Sequence, residues 1–182
     1  GIPQGSILGP LLFIIFINDL FDNVCDESKL FLYADDAKLF RHISCINDVD
    51  LLQRDLLDLQ RWMDRWLLKL NINKCKVVSY GHHIDIINDY YLQSDGSVSV
   101  LEHIDFIKDL GVTFDSKLKF DHHINEKVNK AYSVLGLIYS NLKHMSTKTF
   151  ITLFKTLVRR HLEYANCVWS PLRHMDVDKL EK

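Results

Sequence analysis

The spacing of apolar residues changes once along this chain, near residue 115. Before that point, short β-prone runs surround one long amphipathic segment. Beyond it, apolar residues recur only at the three- and four-residue spacing of helices. Strands with packed helices, followed by helices alone, predict an α+β fold. We therefore expect two parts, residues 1–115 with strands and helices and residues 116–182 with helices only.

Residues 6–20 are predicted to form the first helix. Ser6 is the expected N-cap, and Pro10 falls in the first turn, where proline is tolerated. Apolar residues cover nearly every side of this segment. Because a helix that is apolar all round is normally buried, we expect this helix to be covered on most sides.

Residues 48–70 are predicted to form a long amphipathic helix. Its charged residues, Asp55 among them, are expected to lie mostly off the apolar stripe, and packing on one face of a sheet is favoured over a coiled coil. Similar spacing predicts helices over about 124–142 and 150–162 and another near 177–180. The stripe of the long helix consists of Val49, Leu52, Leu56, Leu59, Met63, Trp66 and Leu70.

The β-prone runs predict two hairpins and two further strands. A short acidic step separates the strands of the first hairpin, and Ser94-Asp95-Gly96 is a strong turn signal for the second. The predicted strands are 29–34, 37–42, 76–80, 90–92, 98–101 and 110–114.

Asp35 and Asp36 stand side by side at the predicted tip of the first hairpin. Adjacent carboxylates repel each other, and a divalent cation between them removes that repulsion. Carboxylate oxygens together with substrate phosphates are the ligands that Mg²⁺ prefers. One interpretation is therefore a metal site for phosphoryl or nucleotidyl transfer. The alternative is a polar turn between two strands, where Asp is common.

Five segments, taken in chain order, resemble the reverse transcriptases of non-LTR retrotransposons of the LINE/jockey-like kind. The most specific part is the pairing of Pro3-Gln4-Gly5 with Tyr33-Ala34-Asp35-Asp36, about thirty residues later. In that family, a PQG loop and its helix lead to a YxDD hairpin. The other segments are Leu70–Lys76, Lys108–Asp115 and His161–Pro171.

The resemblance implies the C-terminal part of a polymerase palm, an antiparallel sheet with packed helices, over residues 1–115. A basic, truncated, thumb-like helical region would follow over residues 116–182. The implied activity is that of an RNA-directed DNA polymerase, with metal-dependent nucleotidyl transfer at two Mg²⁺ ions. The implied partners are an RNA template, a DNA primer, deoxynucleoside triphosphates and the rest of the retrotransposon polyprotein.

The resemblance also assigns roles to individual residues. Asp35 is implied to be a direct metal ligand, assisted by Asp36. Lys74 is implied to protonate the departing pyrophosphate or neutralise its charge, although Lys76 is close enough to compete for this role. The implied substrate-binding residues are Gln4, Gly5, Tyr33 and Ala34, and the implied primer-supporting residues are Leu110 and Gly111.

Each of these roles has a structural alternative. The Gln4-Gly5 pair also suits a turn that starts a helix, and Tyr33 suits a core aromatic residue. Lys74 is equally typical of a solvated loop, and Gly111 of a β-bulge or of close strand packing.

The first residue, Gly1, falls inside the PQG motif, so we expect the chain to be part of a longer protein. Related enzymes take another metal-binding aspartate from a strand before that motif. We therefore expect residues 1–182 alone not to polymerise DNA. Two alternatives stay open: a decayed element that at most binds nucleic acid, and a metal-dependent nuclease, for which the PQG loop and the basic helices have no role.

Charge is distributed unevenly along the chain. Residues 1–115 carry 10 Lys and Arg and 18 Asp and Glu, a balance of −8, whereas residues 116–174 carry 10 and 3, a balance of +7. An acidic half that holds metal and a basic half that follows phosphates suit a polymerase, although a solvated basic face is the alternative. The candidate phosphate contacts are Lys117, Lys119, Lys127, Lys130, Lys143, Lys148, Lys155, Arg159 and Arg160.

Cysteine and histidine spacing indicates no further metal site. The four cysteines lack CxxC spacing and are expected to be reduced thiols, and the pairs His82–His83 and His122–His123 lack the spacing of HExxH. No signal peptide is evident, and the apolar stretch 11–17 is too short to span a bilayer. These features predict an intracellular protein without a membrane partner.

Overall fold

The computed structural model describes residues 5–81, 88–94, 96–142, 144–171 and 173–181. These residues form two compact units. The first contains the described part of 1–77 and 84–103, and the second that of 78–83 and 104–182. The division into a palm over 1–115 and a thumb over 116–182 stays a prediction.

Short strands and helices make up both units, so the predicted α+β mixture is confirmed in its coarse form. The first unit contains α1 (Leu8–Ile17), a 3₁₀ turn (Asn18–Asn23), β1 (Ser28–Tyr33), β2 (Asp36–Arg41), α2 (Ile46–Arg65), a 3₁₀ turn (Ile72–Lys74), β3 (Lys76–Val77), β4 (Tyr91–Ser94), β5 (Ser97–Val100) and β6 (Glu102–His103). The second contains β7 (Phe106–Asp109), β8 (Val112–Asp115), α3 (Asp121–Asn141), α4 (Thr147–Leu153), a π-helical turn (Phe154–Val158), α5 (Arg159–Glu163), α6 (Asn166–Trp169) and α7 (His174–Glu181).

The strands pair two by two among the described residues. β1–β2, β4–β5 and β7–β8 are antiparallel hairpins, and β3 pairs with β6 in parallel. Both predicted hairpins are therefore confirmed. The predicted strand at 76–80 is shorter, ending at Val77. The predicted strand at 110–114 begins only at Val112, because residues 110 and 111 form the turn that precedes it.

Helix α2 is the centre of the first unit, as its stripe predicts. One end packs in a cluster with Leu20, and the other packs in a cluster with Leu92 beneath the β4–β5 hairpin. Gln53 fixes that hairpin, because its amide both donates to the Tyr91 carbonyl at 2.9 Å and accepts from the Tyr91 N–H at 3.0 Å. The helix begins at Ile46, two residues before the predicted start, and ends at Arg65, five before the predicted end.

The prediction that helix α1 is covered on most sides is wrong. Its apolar surface is not buried on most sides: Leu8, Ile14 and Ile15 are each about 60% exposed. Only the end of the helix reaches the core, where Phe16 stacks edge-on against Trp66 with ring centroids 5.4 Å apart. Ser6 is not the N-cap, since the helix begins at Leu8 without a side-chain cap.

The second unit is built around α3. Its first half packs with β8 and Trp169, and its second half packs against the π-helical turn and α5. The predicted helix at 150–162 is thus continued from α4 through the π-helical turn into α5, and this turn places Val158 in the core. No helix in the described ranges is long and apolar enough to cross a membrane.

Candidate functional site

The acid pair lies at the tip of the β1–β2 hairpin, as the sequence predicts. Tyr33 pairs with Asp36 across the strands, so Ala34 and Asp35 form a two-residue loop. Ala34 has φ of 52°, whereas φ of Asp35 is negative, and this combination is the φ pattern of a type II′ rather than a type I′ hairpin turn. A non-glycine residue in this region is strained by about 1–3 kcal/mol, and such strain often accompanies functional sites.

Both carboxylates of the tip are exposed. They offer two hard oxygen donor groups on adjacent residues, which fits part of a Mg²⁺ site. The described residues contain no group of three His, Cys, Asp or Glu side chains able to hold a metal ion. The pair therefore fits a divalent cation only as part of a larger donor set.

The two faces of the hairpin differ in their exposure to solvent. Leu30, Leu32 and Leu39 point inward and pack against the α2 core, whereas Phe31 and Tyr33 are 56% and 60% exposed. The alternative that Tyr33 is a core aromatic residue is therefore wrong. Its ring lies outside the protein core, beside the acid pair.

A buried ionic network fixes the base of this hairpin to α2. Arg41, the last residue of β2, places Nη1 at 3.7 Å from Asp55 Oδ2 and donates to Ser28 Oγ at 3.0 Å. Ser28 in turn donates to Asp55, whose other oxygen accepts the Cys25 N–H at 3.2 Å. Glu27, largely exposed, also pairs with Arg41.

This network was missed by the sequence analysis, which placed Asp55 off the apolar stripe. Asp55 is 2% exposed and Arg41 is 6% exposed, so both charges are withdrawn from water. The available signal was the position of Asp55, three residues after Leu52 and four before Leu59, which puts a charge on the buried side of the helix.

Gly5 and Lys74, also assigned by resemblance in the first unit, lie in exposed positions. Gly5 has φ of 87°, a conformation that favours glycine, whereas Gln4 lies outside the described residues. Lys74 is exposed at the end of a 3₁₀ turn. Its competitor Lys76 binds the carboxylate of Glu102, which leaves Lys74 as the better candidate for an incoming anion.

Leu110 and Gly111 form the tight turn between β7 and β8 in the second unit. Their φ angles are 44° and 83°, and positive values at both positions are the mark of a type I′ turn. Tyr164 Oη donates to the Leu110 carbonyl at 2.8 Å. A Cβ on Gly111 would lie 3.1 Å from Tyr164 Cε1, so the ring packs closely on the turn.

His123 joins this hairpin to α3. The ring is fully buried, its Nδ1 accepts the Thr113 N–H at 3.1 Å, and it packs edge-on against Trp169 with centroids 5.2 Å apart. Burial, reinforced by the nearby Lys127 charge, lowers the pKa of His123 from 6.5 to about 4. The ring is thus a neutral structural acceptor, a role that its sequence context did not reveal.

The basic residues of the second unit differ in whether a carboxylate pairs with them. Arg159 is neutralised by Glu163 at 2.6 Å, whereas Lys127 and Arg160 line a cavity of about 250 Å³ beside the Gly111 turn. Lys143 lies outside the described residues. Lys117 and Lys119 donate their backbone N–H groups to Asp115, which closes the loop before α3.

Comparison with known proteins agrees with these motifs. Residues 1–143 match the family model described as reverse transcriptase (RNA-dependent DNA polymerase). The chain is 32% identical over 191 residues to the RNA-directed DNA polymerase from mobile element jockey of Drosophila melanogaster, covering 99% of this chain and 20% of that protein. It is 30% identical over 175 residues to the probable RNA-directed DNA polymerase from transposon BS of the same species, covering 92% and 18%.

The chain spans about a fifth of the length of these curated relatives. No solved structure matches it. The family match covers most of the chain and includes both the PQG and YADD segments. The chain therefore belongs to the reverse transcriptase (RNA-dependent DNA polymerase) family, in its non-LTR, LINE/jockey-like branch.

Proposed function

We propose that the chain is part of the catalytic region of a retrotransposon RNA-directed DNA polymerase, with its active-site carboxylates on the β1–β2 hairpin. The observation that carries the proposal is the placement of Asp35 and Asp36 together at a tight turn. The buried Arg41–Asp55 network ties the hairpin base to α2. A rigid base is what a metal-binding tip needs, since catalytic geometry must be held within fractions of an ångström.

Asp35 acts as the direct metal ligand and Asp36 supports or orients it. When bound, two Mg²⁺ ions stabilise the attacking and leaving oxygens of an in-line displacement. The resemblance to the family implies a third carboxylate from a strand before the PQG motif. On this proposal we expect residues 1–182 alone not to polymerise DNA.

The exposed residues around the tip contact the substrates. Ala34, small and at a positive φ, leaves room for the primer end or the incoming sugar, and Tyr33 lies beside it on the outer face. Gln4 and Gly5 contact the incoming nucleotide and the template base. Lys74 neutralises the departing pyrophosphate.

The two regions play different parts in holding nucleic acid. Residues 1–115 act as the palm-like part, in which Leu110 and Gly111 support the primer. Residues 116–182, with their excess of positive charge, act as a thumb-like region along an RNA template and a DNA primer. Deoxynucleoside triphosphates are the substrates, and the rest of the retrotransposon polyprotein supplies the missing part of the site.

Primer extension by a chimera tests the proposal. Residues 1–182 replace the matching segment of the jockey polymerase, and extension of a DNA primer on an RNA template is measured with Mg²⁺. We expect activity, and we expect Asp35→Asn to reduce it by about 10²- to 10³-fold or more. Asp50→Asn, the same change at an exposed position of α2, is the control and should leave activity unchanged.

A chimera that is inactive although folded would instead favour the alternative of a decayed element. An active chimera that tolerates Asp35→Asn would refute the assignment of the acid pair. Metal binding has a second readout in the 182-residue chain. Mn²⁺ should broaden the amide signals around Ala34–Ala37 and not those around Asp50, and this broadening should weaken in Asp35→Asn.

A further inference from the structure

A basic cavity lies beside the β7–β8 turn, entirely within the second unit. Its volume is about 250 Å³. The turn contributes to one wall of this cavity, α3 to another, and α5 with the residue after it to a third. None of the lining side chains is acidic. The lining residues are Gly111, Lys127, Arg160, His161 and Tyr164.

The two cations of the cavity form no ion pair in the described part of the chain, although the Glu126 carboxylate is near enough to Lys127 to interact with it electrostatically. Nearby charges form pairs within the protein: Lys108 Nζ lies 3.2 Å from a Glu126 oxygen, and Arg159 pairs with Glu163. By contrast, no carboxylate in the described part of the chain lies within ion-pair distance of Lys127 or Arg160. The cavity is therefore a local excess of positive charge in a region that is already basic.

His161 lines the cavity and also carries a buried polar atom without a partner in the described part of the chain. Its Nε2 is buried and has no hydrogen-bond partner among the described residues. Burial lowers the pKa of His161, and the charges of Arg160, Lys130 and Lys127 lower it further. A buried polar atom without a partner is costly, and the low pKa keeps this ring neutral beside the two cations.

We propose that Lys127 and Arg160 hold one phosphate group of a nucleic-acid strand in this cavity, with the His161 ring in its lining. The volume is below the roughly 300–1,000 Å³ of pockets for whole drug-sized ligands, which suits a single phosphate group better than a nucleotide. Lys130 is close enough to influence His161 without lining the cavity. A further cation beside the cavity favours a polyanionic strand over a free ion.

This inference rests on the proposed function, because nucleic acid is taken as the source of the phosphate. It goes further in bringing two of the candidate phosphate contacts, Lys127 and Arg160, together in one cavity for one phosphate group. Tyr164 shapes the site without carrying charge, since its hydroxyl holds the Leu110 carbonyl and its ring closes against Gly111. The site thereby links the turn of the β7–β8 hairpin to the helices behind it.

The test measures binding of the 182-residue chain to a fluorescein-labelled RNA–DNA duplex by anisotropy, from about 50 to about 200 mM salt. Lys127→Gln and Arg160→Gln should each weaken binding about tenfold and lower the slope of log K against log salt by about 1. Arg160→Lys should retain most of that slope. Arg173→Gln, at an exposed surface pair with Asp121, is the control and should behave as the unchanged chain.

A parallel titration uses inorganic phosphate and pyrophosphate, followed by the NMR signals of His161. One result would show that the cavity binds a free anion and not a nucleic-acid strand. In that case phosphate or pyrophosphate binds, and the two glutamine variants lose this binding but keep the affinity for the duplex. Unchanged affinity and slope in folded variants would also overturn the proposal, as would an unchanged chain that binds no duplex. The outcome for the acid pair is independent, because Asp35→Asn in the chimera tests catalysis and leaves this cavity intact.

Discussion

His123 should make the stability of the second unit depend on pH. Protonation would place a charge in a fully buried site and would remove the acceptor of the Thr113 N–H. The perturbation is His123→Asn, because an asparagine oxygen can still accept that hydrogen bond and the side chain does not titrate. His122→Asn is the matched control, since His122 is exposed and is the adjacent residue.

The magnitude follows from the difference in the pKa of His123 between the unfolded and folded states. The pKa is 6.5 in the unfolded chain and about 4 in the fold, so between these values the unfolded state binds more protons. The neutral ring contributes its full stability above pH 6.5, and this contribution is lost as the pH falls toward about 4. The total is about 3 kcal/mol, of which about 2 kcal/mol is lost between about pH 7.5 and about pH 5.

The assay is urea unfolding at these two pH values, followed by amide NMR signals of β8 and α3 so that the second unit is observed separately. The free energy of unfolding of the unchanged chain should fall more steeply with acidification than that of His123→Asn, by about 2 kcal/mol. His122→Asn should retain the pH dependence of the unchanged chain.

Two results would refute this reasoning. One is a His123→Asn variant whose unfolding free energy retains the full pH dependence. The other is a titration of the His123 ring protons with a pKa near 6.5, which would mean that burial does not disfavour the charged ring in the folded protein.

Further predictions concern the two hairpins. Asp55→Asn removes the buried carboxylate facing Arg41 and should lower the free energy of unfolding of the first unit by about 2–4 kcal/mol. Asp58→Asn, at a surface pair on the same helix, should cost less than about 1 kcal/mol, and equal losses in urea unfolding would contradict the network. Tyr164→Phe removes the hydroxyl bond to the Leu110 carbonyl and should cost the second unit about 1 kcal/mol. Gly111→Ala should cost more, about 1–2 kcal/mol from its positive φ in addition to a close contact with the Tyr164 ring, and a neutral Gly111→Ala would refute the turn geometry.

The sequence by itself determined the local elements and the family. Alternating and helical periods are properties of neighbouring residues, so both hairpins, α2 and the helical end of the chain could be predicted without knowledge of their partners. The acid pair was also placed correctly at a hairpin turn. The ends of α2 were less predictable. Asp48 caps the start by accepting the N–H groups of Ser44 and Cys45, while beyond Arg65 the apolar stripe continues into a loop that packs on the same core.

Only the tertiary structure decided which charges are buried and which apolar residues are not. Asp55 contacts Arg41 and Ser28, which lie 14 and 27 residues away in the sequence. A local sequence pattern cannot predict contacts between such distant residues. The same holds for Lys127 and Arg160, which line one cavity although they belong to different helices. Helix α1 is the opposite case. Its apolar sequence predicts burial, but the described residues cover only its end. Periodicity reports the face that a helix prefers to bury, whereas the neighbours that bury it are set by long-range packing.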